Sequence, residues 1–140
     1  MGAIEGIVKF LEQYPFLQYG RREDAIWVLP SSKNGFEVAL VVSPGHYTVS
    51  YAIWHTEFSD EQMAVNAFIN GLSDRVRLEV SSRGNVDYRW IALIRGPEGW
   101  MSGGAVGIFR YRFWKKKEIR YLQNDYFIST DLEGQTPAIS

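Results

Sequence analysis

The sequence predicts an α+β domain: two helices packed on a curved, mainly antiparallel sheet, in the order αβββ-αβββ(β). Three observations predict it. Helical periodicity occurs twice, at the N-terminus and near the middle of the chain. Elsewhere, apolar residues alternate with polar ones, the period of a half-buried strand. Turn clusters at Ser43-Pro44-Gly45, Ser82-Arg83-Gly84-Asn85 and Gly96-Pro97-Glu98-Gly99 separate these runs at hairpin spacing, so consecutive strands pair antiparallel.

The chain has 140 residues, no cysteine and 46% hydrophobic residues. That length suits one domain, expected over residues 1–128, with 129–140 a polar C-terminal tail that frays. The cysteine count excludes disulfides, thiol nucleophiles and Cys-based zinc sites. No apolar run approaches the roughly 20 residues that span a bilayer, and the N-terminus lacks the basic start and apolar block of a signal peptide. A cytoplasmic protein with no membrane partner is the expectation.

The first helix is read over Ala3 to Tyr14. Ile4, Ile7, Val8 and Leu11 make its apolar stripe, and Pro15 stops it by lacking a donor and restricting Tyr14. Three strands follow: Ala25 to Leu29, Phe36 to Val42, and His46 to His55, the last with Tyr47, Val49, Tyr51 and Ile53 inward. For the second helix, Ser59 is expected as the N-cap, with Gln62 reaching back to it and Phe58 and Met63 closing a hydrophobic staple. Ala64, Val65, Phe68, Ile69 and Leu72 form its buried stripe. Then Val76, Leu78 and Val80 point inward while Arg75, Arg77 and Glu79 point outward. Val86 to Arg95 places Tyr88, Trp90, Ala92 and Ile94 on one face. A long stretch from Trp100 to Trp114 begins in glycines, and Glu118 to Gln123 is the last strand. The layout resembles that of small secretion chaperones, a resemblance of element order that carries no activity.

Catalytic motifs are weak. His55 and Glu57 share a strand face, but His-x-Glu lacks the three protein ligands of a catalytic zinc, and a strand-end histidine is the simpler reading. Gly-x-Ser-x-Gly is absent, so Ser102 and the other turn serines have no nucleophile elbow. Gly103-Gly104-Ala105-Val106-Gly107 precedes a strand, where phosphate loops precede a helix. No catalytic, cofactor or metal residue is therefore assigned, and no cofactor is implied.

Charge is more informative. Residues 1–70 hold 4 basic and 8 acidic residues, 71–123 hold 11 and 5, and 124–140 hold 0 and 3, giving −4, +6 and −3. The basic segment ends in Arg110, Arg112, Trp114, Lys115, Lys116 and Lys117, with Arg120 on the next strand. Phe109, Tyr111 and Phe113 fall on the opposite face from Arg110 and Arg112. Such a row blunts a sheet edge in its simplest role. As a site, it fits a non-enzymatic binding domain that engages a protein partner or its own copy. Single-stranded nucleic acid is the alternative for the same face, and an enzyme or metal protein centred on His55 and Glu57 is the third.

Overall fold

The computed structural model describes residues 2–107 and 115–127. Among them are helices α1 (Ala3–Leu11) and α2 (Glu61–Gly71). The strands are β1 (Tyr19–Arg22), β2 (Ala25–Val28), β3 (Val38–Ser43), β4 (His46–Tyr51), β5 (Trp54–Phe58), β6 (Val76–Arg83), β7 (Val86–Gly96), β8 (Gly99–Gly107) and β9 (Lys117–Gln123). The class is α+β, as the sequence predicts. The strands form two antiparallel sheets where the sequence suggested one: a five-stranded meander β1-β2-β3-β4-β5, and a four-stranded sheet in the order β8-β7-β6-β9.

α1 buries Ala3, Ile4, Ile7, Phe10 and Leu11 along one stripe. It ends before Tyr14 because the Gln13 and Tyr14 amides donate to the Phe10 and Leu11 carbonyls, the tighter spacing of a closing 3₁₀ turn. The edge strand β1 is a short polar run without alternation to announce it. Gly20 lies opposite Trp27, and a Cβ there would sit 2.7 Å from the indole, so only glycine lets that ring cross the edge.

The stretch from His46 to His55 is two strands. Ala52 takes a φ of 54°, reverses the chain, and leaves Ile53 at the turn, 52% exposed and not inward. The cap of α2 is Asp60, whose carboxylate accepts from the Met63 amide at 2.9 Å, one residue later than Ser59. Met63 is 57% exposed, so no staple with Phe58 buries it. The predicted stripe holds: Ala64, Val65, Phe68, Ile69 and Leu72 are fully buried.

One apolar core joins α1, α2, the meander and the inner face of the second sheet through Val76, Leu78, Val80, Trp90 and Ala92. After β9 the chain crosses back to the N-terminal half. Gln123 N–H donates to the Asn34 carbonyl, Tyr126 Oη to the Leu29 carbonyl, and Phe127 packs on Phe10 and Tyr14. The predicted strand residues Ile108 to Trp114 and the tail 129–140 lie outside the described residues. Among the described residues no helix is long and apolar enough to cross a membrane.

Candidate functional site

Strand alternation in the four-stranded sheet separates two faces. Directly opposed residues in an antiparallel pair point the same way. Val76, Leu78 and Val80 face the core with their partners Ala92, Trp90 and Leu122. Arg77, Glu79, Ser81 and Arg83 therefore face outward. Opposite them lie Leu93, Ile91 and Arg89 on β7, and Gln123, Tyr121, Ile119 and Lys117 on β9. Arg95 and its partner Trp100 extend the same face to the β7–β8 end. Among the described residues its cations are Arg77, Arg83, Arg89, Arg95 and Lys117, its strands carry the carboxylate Glu79, and Arg95 is paired with Asp74 at 3.4 Å.

The centre of this face is a stack of cations and rings. The Arg77 guanidinium carbon lies 4.3 Å from the Trp100 ring centroid and 4.4 Å from that of Tyr121. Arg95 sits 5.1 Å from the Trp100 ring, and Arg83 sits 5.8 Å from Tyr88. Ring quadrupoles attract cations at these distances, each contact contributing about 0.5–1 kcal/mol at an exposed site. Tyr121 Oη donates to Glu79 Oε1 at 3.2 Å, which fixes the second ring. Arg77 Nε is enclosed and has no acceptor. A guanidinium covered on its flat faces keeps only its in-plane N–H groups for further partners, the geometry that suits carboxylates and carbonyl oxygens.

The sequence-predicted site residues divide between the two faces. Lys115, Lys116 and Lys117 are exposed. Lys117 opposes Arg83 on the outer face, and the Lys115 carbonyl accepts from Arg83 Nη1 at 2.9 Å. Arg120 opposes Val80 and so points the other way. It forms a bidentate pair with Asp87, at 2.6 and 2.7 Å. That hydrogen-bonded guanidinium holds the Asp87 carboxyl below its usual range, and Asp87 raises Arg120 in return. The pair lines an open cleft of about 390 Å³ with Ser82, Asn85, Glu118 and Ile119. Arg110, Arg112 and Trp114 lie outside the described residues.

Sequence reading did not single out Arg83, Arg95, Trp100 or Tyr121 as a group with Arg77. The outward alternation of Arg75, Arg77 and Glu79 was its signal. What was missing is the pairing of β9 with β6, which sets Tyr121 and Lys117 beside Arg77 and Arg83.

Elsewhere the chemistry is sparse. His55 and Glu57 do share a strand face, opposite Ser50 and Thr48, and both are exposed. His55 Nδ1 lies 3.2 Å from the Ile53 carbonyl. Among the described residues no group of three or more His, Asp or Glu is arranged to hold a metal ion. The glycine cluster, expected to precede a strand, lies within strand β8, and the Gly104 carbonyl accepts from Trp54 Nε1 at 3.1 Å. A second cleft, of about 300 Å³, is acidic, with Glu5, Glu23, Asp24 and Glu61 around Tyr47. Tyr47 Oη donates to Glu61 Oε2 at 3.0 Å, and that carboxylate raises the Tyr47 pKa. No protein-family model, no curated protein and no solved structure matches the chain.

Proposed function

We propose that this chain is a non-enzymatic binding domain, cytoplasmic in setting, that takes an acidic protein surface on the outer face of the β6–β9 sheet. The observation that carries the proposal is Arg77, clamped between Trp100 and Tyr121 beside Arg83, Arg89, Arg95 and Lys117. Arginine and aromatic side chains dominate the energetics of protein interfaces, and a guanidinium already held by rings loses less entropy on binding. Lys115 and Lys116 border the same face and extend its positive field. Single-stranded nucleic acid is served less well. Base stacking needs free ring faces, and here a guanidinium already covers a face of Trp100 and of Tyr121.

Fluorescence anisotropy tests the reading with a labelled Glu/Asp-rich peptide and an oligothymidylate of equal charge. The peptide should bind, and Arg89→Glu with Lys117→Glu should weaken it by about tenfold or more. Both side chains are exposed, so circular dichroism should not change. Unchanged peptide affinity in the folded double variant overturns the proposal. Tighter oligothymidylate binding with a steep salt slope reassigns the face to nucleic acid.

A further inference from the structure

Among the described residues the two sheets have four edge strands, and three of them are protected. β1 is four residues long and carries Arg21 and Arg22. β5 is five residues long and carries Glu57. β9 carries Lys117, Glu118 and Arg120. β8 differs: its described residues, Gly-Trp-Met-Ser-Gly-Gly-Ala-Val-Gly, carry no charge, and residues 108–114, which follow it, lie outside the described residues. Among the described residues no strand pairs with its outer edge. Its Met101 is 58% exposed, and the cross-strand neighbour Ile94 is 39% exposed. Long, uncharged edges are the ones that pair with other chains.

We infer that β8 pairs with β8 of a second copy, antiparallel about a two-fold axis normal to the sheet, joining two four-stranded sheets into one of eight strands. The sequence of β8 is self-complementary in that arrangement. With Gly103 opposite Gly104 of the copy, Ser102 meets Ala105, Met101 meets Val106, and Trp100 meets Gly107. Each large side chain meets a smaller one, and no charge meets its like.

The faces match as well. Trp100, Ser102, Ala105 and Gly107 lie on the outer face through their partners Arg95, Leu93, Ile91 and Arg89. Met101 and Val106 lie on the inner face through Ile94 and Trp90. In a regular strand, residues three apart point to opposite faces, so Ser102 could not oppose Ala105. Here the register shifts between Ile91 and Leu93, and β8 spends the extra residue at Gly103-Gly104, with Gly104 at a φ of 111°. Both copies carry the same bulge, so two residues oppose two and the ladder stays in step. The Gly104 carbonyl is engaged by Trp54, which leaves the ladder bonds to the residues on either side of the axis.

The occupant is a second copy because β8 is complementary to itself in this register and its own described residues carry no charge. Nor do the basic faces prevent pairing. The nearest β7 arginines would lie three strand spacings apart, about 14 Å, beyond a Debye length of about 8 Å at physiological salt. The inference stands whatever the basic face binds.

Sedimentation equilibrium of the full chain is the test, with the salt concentration varied. A dimer is expected that holds or tightens as salt rises. Ala105→Lys and Met101→Lys should each convert it to monomer with unchanged circular dichroism. The chain has no cysteine, so a mixture of Ser102→Cys and Ala105→Cys proteins should form disulfide heterodimers. Either protein alone should not. A folded monomer at every concentration overturns the inference. So does a dimer that survives both lysine substitutions, dissolves with added salt, or fails to cross-link from 102 to 105.

Discussion

Asn124 holds together parts of the chain that are far apart in sequence. It is 3% exposed, accepts from the Phe36 amide at 3.1 Å, and donates to the Phe36 and Gly71 carbonyls at 2.9 and 3.0 Å. One side chain thus ties the segment after β9 to the approach of β3 and the end of α2. Removing it leaves a buried donor and two acceptors unmatched, each costing about 1–3 kcal/mol if nothing relaxes. Asn124→Ala is expected to lower stability by about 3 kcal/mol in urea unfolding. A loss within experimental error would show that water replaces the amide without cost. Asp87 and Arg120 are a weaker pair, because both are partly exposed. Asp87 has a folded pKa below its unfolded value, so its contribution is present above the unfolded pKa and disappears as pH falls through the folded one. Asp87→Asn should cost about 0.5 kcal/mol at neutral pH, and the cost should shrink as pH falls below the ordinary carboxylate range. Thermal melts of both proteins across that range check it, and a cost that is constant with pH would assign the loss to packing.

At the scale of elements, the cap of α2 gives the sharpest comparison. Ser59 and Asp60 are both good capping residues, and the sequence pattern Ser-x-x-Gln favours the first. The backbone decides otherwise: Asp60 is extended, with a φ of −96° and a ψ of 122°, and its carboxylate also meets the positive end of the helix dipole. Asp60→Ala should therefore cost about 1 kcal/mol and Ser59→Ala close to none. Equal losses would restore Ser59 to the cap. Both helices and most strands were legible because their burial follows a period, as with Phe68 and Ile69 or Val76, Leu78 and Val80. β1 was not, since a strand of Tyr-Gly-Arg-Arg has no apolar alternation and is held by backbone pairing to β2. The break between β4 and β5 was hidden for a different reason. Ala52 has no propensity for a positive φ, and the Tyr51–Trp54 pair on either side imposes it, with rings stacked at 5.0 Å.

For the whole molecule, sheet order is what local sequence carries least. β9 follows β8 in the chain but pairs with β6 at the opposite edge. That one crossover puts Tyr121 beside Arg77, and alternation along β9 turns Arg120 to the face opposite Lys117. The polarity of the chain, −4 over residues 1–70 and +6 over 71–123, becomes spatial in the same step. An acidic cleft lies between the start of α1 and the turns of the meander, and a basic face lies on the second sheet. The proposed partner site is this basic face. Titration of the ¹⁵N-labelled protein with the acidic peptide, followed by backbone and indole N–H shifts, tests it most directly. The largest changes are expected on Trp100, Arg77, Arg83, Arg89 and Tyr121. Changes centred on His55 and Glu57, or on the Asp87–Arg120 cleft of the other face, would contradict it.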